Sequence, residues 1–172
     1  AKSICQLILE RKLEMSWRCI IYPNKVDREL VDLMSASGCK QISLGFESGS
    51  EHMLKNLNKQ FTLDDVRAVS DMFADRGIER MGFLLLGGPG ETTQSVEESL
   101  AFADDLKLDA LRVTAGIRIY PETKLAETSM DQGVISSSAN LLHPHFYLSQ
   151  ELEGWLSNRL REWQASRPYV IM

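Results

Sequence analysis

Three short polar segments follow apolar runs in this sequence, and they contain the residue types that could do chemistry. They are ESGS at 47–50, GGPGE at 87–91 and YPET at 120–123. In α/β folds the ligand binds beyond the carboxyl ends of the strands, so residues that directly follow strands are the first candidates for a site. If the three apolar runs are parallel strands, the three segments face the same edge of one sheet.

The glycine-rich turn is the most distinctive of the three segments. Glycines at 87, 88 and 90 allow positive φ and a close approach to a ligand, and the following helix N-terminus offers unpaired N–H groups. Such a turn suits an anion, or an adenine edge recognised by the main chain. The alternative is a tight turn that needs glycine only for its geometry, with Thr92 or Thr93 capping the helix. The spacings of a Walker phosphate loop and of a dinucleotide fingerprint are both absent.

The segment ESGS supplies a carboxylate and two hydroxyls. Glu47 and Ser48 could bind an amino group or the hydroxyls of a ribose. Taken alone, the segment favours a simpler interpretation, in which Ser48 or Ser50 caps the next helix and Glu47 pairs with a neighbouring cation.

The overall composition is that of an ordinary soluble domain. The 172 residues are 44% hydrophobic and 25% charged, and no apolar run approaches the roughly 20 residues that span a bilayer. The formal net charge is −5, and the Lys and Arg residues are scattered singly rather than clustered. We therefore expect one globular body that neither crosses a membrane nor binds nucleic acid directly.

The cysteines and histidines do not predict a metal site. Cys5, Cys19 and Cys39 lie 14 and 20 residues apart, which matches no zinc pattern and no disulfide framework. We expect reduced, buried thiols in a cytoplasmic protein. His143 and His145 have no third ligand nearby and are interpreted as part of a loop.

The hydrophobic pattern alternates between strand-like and helix-like segments, which is typical of repeated βα units and a parallel sheet. Thr62, with Asp65 three residues on, is predicted to cap one of the helices. A parallel sheet of four strands this apolar must be covered on both faces. If the strands instead form an arc of a barrel wall, the inner face of that wall is left open. An inner face left open in this way would indicate that the natural polypeptide is longer.

The strands are predicted at 16–22, 41–47, 80–86 and 110–120, and a final amphipathic helix is predicted at 149–167.

The three segments, in this order and spacing, resemble the radical S-adenosylmethionine superfamily. The match runs through GFESGSEHMLKNLNKQFTLDDVRAV, GIERMGFLLLGGPGETTQSVEESLAFADDL and RIYPETKLAETSMDQGVI. The resemblance implies an α/β fold, a partial (β/α) TIM-like barrel of about six parallel strands. We therefore predict that residues 1–125 form the C-terminal part of such a barrel, about four of its six βα units. Residues 126–172 are predicted to be a helical extension packed on it.

The resemblance also implies cofactors whose ligands lie partly outside this sequence. The family binds a [4Fe–4S] cluster through three cysteines in a C-x3-C-x2-C loop, and reduction cleaves S-adenosylmethionine to methionine and a 5′-deoxyadenosyl radical. No such loop is present, and Cys5, Cys19 and Cys39 cannot replace it at their spacings. We expect the cluster loop upstream of Ala1. The tail LLHPHFYLS resembles members with an N-terminal cobalamin-binding domain, which would add cobalamin outside this chain.

By position in the family's motifs, the resemblance implies contacts to S-adenosylmethionine from the ends of three strands. Glu47 and Ser48 would contact its ribose or methionine part. The backbone and the apolar groups of the turn and of the following strand would contact the adenine. The remaining residues of the turn would have a structural role. The adenine contacts are Leu86, Gly87, Gly88, Ile119 and Tyr120, and the structural loop is Pro89, Gly90 and Glu91.

Two functions follow as hypotheses. In the first, the parent protein is a radical S-adenosylmethionine enzyme, an oxidoreductase or a cobalamin-dependent methyltransferase, and this chain alone is inactive. In the second, the chain is a cluster-free half-barrel that serves as a binding or assembly module, with the helix of Trp155 and Trp163 as its partner surface. An exposed barrel wall would favour self-association.

Overall fold

The structure is a computed structural model, and it describes residues 1–136 and 138–172. Helices and strands alternate along most of the chain, as the hydrophobic pattern predicts. The helices are α1 (Lys2–Glu10), α2 (Arg28–Ala36), α3 (Glu51–Asn56), α4 (Leu63–Ala74), α5 (Thr93–Asp105), α6 (Lys124–Asp131) and α7 (Leu156–Gln164). The strands are β1 (Trp17–Ile21), β2 (Cys39–Glu47), β3 (Glu79–Leu86), β4 (Ala110–Ala115), β5 (Ile117–Arg118), β6 (Phe146–Tyr147) and β7 (Val170–Ile171).

The main sheet has five parallel strands in the order β1-β2-β3-β4-β7. Its first four strands are the four predicted from the sequence, and together with their crossover helices they confirm an α/β fold built from repeated βα units. The fifth strand was not predicted, because two residues near the C-terminus are too few to show a strand period. The division into residues 1–125 and 126–172 stays a prediction.

Local capping explains where two of the crossover helices begin. Thr62 and Asp65 form the predicted capping box at the start of α4. Thr92 and Ser95 form a second capping box at the start of α5, directly after the glycine turn. Each cap provides acceptors for N–H groups that a first helical turn leaves unpaired, so both helices are fixed at their N-termini close to the carboxyl edge of the sheet.

The two faces of the sheet differ in burial. One face packs against the helices, and its side chains include Ile42, Leu44, Phe46, Leu84, Leu86 and Leu111, none more than 1% exposed. The alternate residues point the other way, where Ile20 is 80% exposed. We call this second side the open face, and its residues include Ile20, Ser43, Phe83, Leu85 and Arg112.

Two predicted elements are interrupted by glycine. The strand predicted over 110–120 breaks at Gly116, whose φ is +85°, and the chain then leaves the main sheet so that β5 pairs antiparallel with β6. The helix predicted over 149–167 breaks near Gly154, with φ of +71°, into a short 3-10 turn (Gln150–Leu152) and α7. Both glycines adopt a left-handed conformation that other residues rarely adopt, which ends the regular element.

A polar cluster around Asp104 fixes the C-terminal helix to α5. The Asp104 carboxylate accepts hydrogen bonds from Arg167 at 2.6 and 2.7 Å, from the Trp163 indole at 3.2 Å and from the Tyr169 hydroxyl at 3.2 Å. The donors, above all the Arg167 side chain, hold the pKa of Asp104 below its usual value although burial opposes the shift. None of the helices in the described residues has the length and apolar character required to cross a membrane.

Candidate functional site

The three segments singled out in the sequence lie at one edge of the main sheet. Glu47 ends β2 and is level with Leu84, and β3 runs on to Leu86, which is level with Ala115 at the end of β4. Because these strands are parallel, ESGS, GGPGE and the chain that leads to YPET all emerge at the carboxyl edge.

At the end of β2, Glu47 forms an ion pair with Lys59. The Glu47 Oε1 atom lies 3.6 Å from the Lys59 Nζ atom, and their side chains are 27% and 20% exposed. A Cβ atom at Gly45 would lie 3.4 Å from Glu47 Oε1, so the missing side chain leaves room beside the carboxylate. The pair presents one accessible negative and one accessible positive group, a combination complementary to a zwitterion such as an amino acid.

Glu47 is held in an unfavourable backbone conformation. Its φ is +67°, and the register of β2 with β3 is irregular between Leu44 and Glu47. A left-handed conformation costs a residue with a side chain roughly 1 kcal/mol, and such strain is concentrated at functional sites. Six other non-glycine residues among those described also have a positive φ, so the conformation helps to orient the Glu47 carboxylate but does not by itself assign it a role in binding.

Lys59 was not recognised from the sequence. It lies twelve residues after Glu47, at the end of the short polar segment SGSEHMLKNLNK that follows β2. No local pattern marks it, because α3 must form and return the chain to the sheet edge before the two charges meet. The pairing of Glu47 with a cation was one of the two interpretations left open for ESGS.

Ser48 points away from the open face. Its side chain is 0% exposed, and its hydroxyl lies 3.0 Å from the Ser99 hydroxyl on α5 and accepts a hydrogen bond from the Ser50 N–H at 3.1 Å. Ser99 also accepts from the Gly49 N–H at 3.0 Å. The hydroxyl of Ser48 thus holds the start of the loop against α5, and a contact between it and a ligand would require these bonds to break.

The glycine turn binds a carboxylate of its own chain. The N–H groups of Gly87 and Gly88 both donate to Oε2 of Glu91, the latter at 3.0 Å. Glu91 is 1% exposed, and its burial raises the pKa of the carboxyl while the two N–H groups oppose that shift. Among the described residues, its other oxygen, Oε1, has no hydrogen-bond partner. The two N–H groups that could have held an anionic ligand are therefore already used by Glu91.

The carbonyl groups of Leu86, Gly87 and Gly88 each accept one backbone hydrogen bond from the part of the chain that the structure describes. Leu86 accepts from the Gly116 N–H at 2.7 Å, Gly87 from the Ser149 N–H at 2.9 Å and Gly88 from the Glu91 N–H at 3.1 Å. A carbonyl oxygen has two lone pairs, so each can still accept a second hydrogen bond from a ligand. Backbone recognition of an adenine amino group remains compatible with this geometry.

Leu85 and Leu86 lie on opposite faces of β3. Leu86 is 0% exposed and packs among the helices, whereas Leu85 is half-buried on the open face. The apolar side chain that a ligand at this edge can contact is therefore that of Leu85. The run FLLL could not show which leucine faces which way, because it does not alternate with polar residues.

We expect the two leucines to separate stability from binding. Leu86→Ala should lower the free energy of unfolding by about 3 kcal/mol, since it empties a buried site. Leu85→Ala should lower the free energy of unfolding by about 1 kcal/mol or less. It should instead raise the Kd for an adenine-containing ligand roughly fivefold, because it removes part of the surface that the ligand contacts. Urea unfolding and calorimetric titration measure the two effects. Equal losses of stability in the two variants would contradict this assignment of faces.

A groove beside the turn extends the candidate site. Gly88 lies between two apolar side chains, and a Cβ atom there would be 3.1 Å from Ile117 Cδ1 and 3.5 Å from Met53 Cε. The groove holds about 350 Å³, enough for a flat heterocycle, and is lined by Asn56, Leu57, Pro89, Ile117, Lys124, Leu125 and Thr128.

The residues after β4 differ in their access to this groove. Ile117 borders it, while Ile119 is 1% exposed and belongs to a separate small core with Ala126, Ile135 and Tyr147. The ring of Tyr120 is 53% exposed, with the Arg118 guanidinium 4.9 Å from its centre. The structure thus places Ile117, rather than Ile119, next to the glycine turn.

The side chains present do not fit an iron–sulfur cluster. Within residues 1–136 and 138–172, no three His, Cys, Asp or Glu side chains are grouped so that they could hold a metal ion. Cys5 and Cys39 are buried, Cys19 is half-buried, and all three are free thiols. In the loop that holds His143 and His145, Nδ1 of His145 lies 3.0 Å from the carbonyl oxygen of His143.

Comparison with known proteins identifies the family of this chain. The model of the radical SAM superfamily matches residues 2–103. An uncharacterized methyltransferase of Pyrococcus horikoshii is 26% identical over 132 residues, which are 74% of this chain and 28% of that protein. The ribosomal protein uS12 methylthiotransferase RimO of Pelotomaculum thermopropionicum is 26% identical over 144 residues, 81% of this chain and 32% of that protein. The chain thus spans about a third or less of these two relatives.

A solved structure has the same fold over the whole chain. The radical S-adenosylmethionine methyltransferase TsrM from Kitasatospora setae, with cobalamin and a [4Fe–4S] cluster bound, superposes with a TM-score of 0.81 at 20% identity. The match covers 100% of this chain and 42% of that one. Since the family model covers more than half of the sequence and the parallel sheet agrees with it, this chain belongs to the radical S-adenosylmethionine superfamily.

Proposed function

We propose that this chain is the S-adenosylmethionine-binding part of a radical S-adenosylmethionine enzyme. Two features of the carboxyl edge carry the proposal: the accessible pair of Glu47 and Lys59, and the apolar groove beside the glycine turn, whose lining includes Leu57, two residues before Lys59. S-adenosylmethionine has a zwitterionic amino-acid end and an adenine end, so it needs both features close together.

The amino-acid end would bind between the two charged side chains. The ammonium of the cosubstrate would face the Glu47 carboxylate, and its carboxylate would face the Lys59 ammonium. At 3.6 Å the pair is longer than a close charged hydrogen bond, and both side chains are partly exposed, so each can turn toward a ligand at little cost. The strained backbone of Glu47 directs its carboxylate to this position.

The adenine end would lie in the groove next to Gly88. Ile117 and Leu125 offer apolar contact from the lining of the groove, Leu85 is the half-buried leucine near the end of β3, and the carbonyls of the turn retain acceptor capacity for the adenine amino group. Glu91 would not touch the cosubstrate, because its carboxylate is enclosed by the turn that it supports. This role agrees with the structural part that the motif implies for it.

The radical chemistry would come from outside this sequence. In the family, a [4Fe–4S] cluster supplies the electron that cleaves S-adenosylmethionine. The cysteines of this chain do not fit that cluster, so we propose that another part of the same polypeptide holds it. This chain would then bind and orient the cosubstrate, and it would be inactive alone.

The reaction of the parent protein is proposed to be methyl transfer that depends on cobalamin. The P. horikoshii relative, a methyltransferase by its name, matches 74% of this chain, and TsrM, which binds cobalamin, has the same fold over all of it. The methylthiotransferase RimO matches a larger share at the same identity, so methylthiolation is the competing reaction.

A pair of lysine variants tests the binding site. In the full-length native protein, Lys59→Ala is expected to raise the Kd for S-adenosylmethionine about tenfold, because a charge-assisted hydrogen bond to its carboxylate is lost. Lys55→Ala, in the last turn of α3 and exposed, is the matched control and should leave the Kd unchanged. Isothermal titration calorimetry measures both. Equal Kd values for Lys59→Ala and the wild-type protein would refute the proposed site.

A further inference from the structure

We infer that a segment of the C-terminal region, Tyr147–Glu151, is a strap that positions the glycine turn for S-adenosylmethionine, with Ser149 as the positioning residue. This inference rests on the proposed function, because it assigns the strap a role in the affinity of that site. The sequence marks the start of this segment only as the end of the tail LLHPHFYLS, about 60 residues after the turn, and it does not indicate a contact between the two.

Ser149 holds the turn at both of its ends. Its N–H donates to the Gly87 carbonyl at 2.9 Å, and its hydroxyl donates to the Glu91 carbonyl at 3.0 Å. Ser149 is 8% exposed, so neither bond competes freely with water. The first residue of the turn and the residue that closes it are therefore fixed by one side chain and its own backbone.

Leu148 packs directly against the turn. A Cβ atom at Gly87 would lie 2.5 Å from Leu148 Cδ1, so the strap occupies the space that any other residue at 87 would need. Gly87 also has a φ of +97°, which only glycine adopts readily. Leu148 joins the main hydrophobic core. The strap is thus in contact with the turn through packing as well as through hydrogen bonds.

The strap is itself anchored on both sides. Before Ser149, Tyr147 pairs with Ile117 in the antiparallel sheet of β5 and β6. After Ser149, the Glu151 carboxylate accepts from the Thr93 N–H at 3.3 Å, and Leu152 is 0% exposed. The strap therefore joins the glycine turn to Ile117 on one side and to the start of α5 on the other.

These connections fix one wall of the proposed adenine site. Gly88 and Ile117 pack together in that wall, since a Cβ atom at Gly88 would lie 3.1 Å from Ile117 Cδ1, and the shape of the wall depends on how the turn and β5 are held relative to one another. The strap contacts both. Loss of the Ser149 hydroxyl would release one end of the turn, so the turn would fluctuate and the site would bind the cosubstrate less tightly, without any direct contact between Ser149 and the ligand.

Three variants of the full-length native protein test the strap, with S-adenosylmethionine as the probe. Ser149→Ala is expected to raise the Kd about tenfold and to speed amide hydrogen exchange at Gly87 and Gly88 in the absence of ligand. Ser149→Thr, which keeps the hydroxyl and the N–H, is expected to restore most of the affinity. Ser149→Pro removes both bonds and fits the observed φ of −56°, so it should have the largest effect.

A destabilising control separates positioning from general stability. Asp104→Ala disrupts the polar cluster that holds α7 and is expected to lower the melting temperature while leaving the Kd at the wild-type value. Two results would contradict the role of the strap and leave the proposed function standing. The first is a wild-type Kd for Ser149→Ala. The second is a rise in Kd that stands in the same proportion to the loss of melting temperature in Ser149→Ala and in Asp104→Ala. Absence of any binding by the wild-type protein would overturn the proposed function and the strap with it.

Discussion

Glu91→Ala is expected to lower the free energy of unfolding by about 4 kcal/mol, the largest effect on stability of any substitution considered. The change removes the acceptor of the Gly87 and Gly88 N–H groups, both of which are buried. A buried donor without a partner costs roughly 1–3 kcal/mol, and two are left here. The expected loss is larger than that for truncation of a buried leucine, although Glu91 is an acidic residue and stands in a loop.

Urea unfolding of the variant and of a matched control measures this effect. Glu98→Ala, on the exposed side of α5, also removes a carboxylate and should change the free energy of unfolding by less than about 0.5 kcal/mol. If Glu91→Ala were as stable as Glu98→Ala, the carboxylate would not be the support of the turn. The backbone at 87–91 would then owe its conformation to glycine alone, which is the second interpretation of this motif in the sequence.

Glu47→Gly is expected to abolish most of the affinity for S-adenosylmethionine while the fold remains as stable as before. Removal of the carboxylate should raise the Kd about thirtyfold, since a charge-assisted hydrogen bond contributes roughly 2 kcal/mol. Glycine relieves the strain at a φ of +67°, and this gain offsets the lost ion pair and the greater freedom of the unfolded chain. The free energy of unfolding should therefore change by less than about 1 kcal/mol.

Lys107→Gly is the matched control for the backbone change. Lys107 also has a positive φ, +48°, and it is exposed at the end of the sheet opposite to the candidate site. The substitution should leave the Kd unaltered. Wild-type affinity in Glu47→Gly would show that the strained carboxylate does not bind the cosubstrate, and a large loss of stability would show that its role is structural.

The elements that the sequence predicted well are those whose signals are local. The capping box of Thr62 and Asp65 needs only four residues, and it lies where the spacing places it. The four long strands were found because each is a compact apolar run between helices of clear period. The family resemblance is confirmed for the same reason, since its motifs are continuous stretches of sequence.

The features that the sequence did not show depend on the tertiary fold. Lys59 reaches Glu47 only because α3 returns the chain to the sheet edge. The exposure of Leu85 rather than Leu86 depends on the phase of β3, which an unbroken run of leucines does not reveal. Ser149 meets the glycine turn through a contact between residues about 60 positions apart. Of the residues taken from the motifs, Ser48 and Ile119 are buried away from the groove, and their contact with the cosubstrate stays a prediction. The motifs did not mark Lys59 and Ile117, which the proposed site includes.

The most direct test of the central claim is to label the cosubstrate site covalently. Full-length native protein is irradiated with 8-azido-S-adenosylmethionine, and the labelled peptides are identified by mass spectrometry with and without excess S-adenosylmethionine. The adenine is proposed to lie in the groove beside the glycine turn, so the label should fall on residues 85–91 or 115–118, or on the other lining segments at 56–57 and 124–128, and S-adenosylmethionine should suppress it. Competable labelling confined to other parts of the protein would contradict the proposal that this edge binds S-adenosylmethionine.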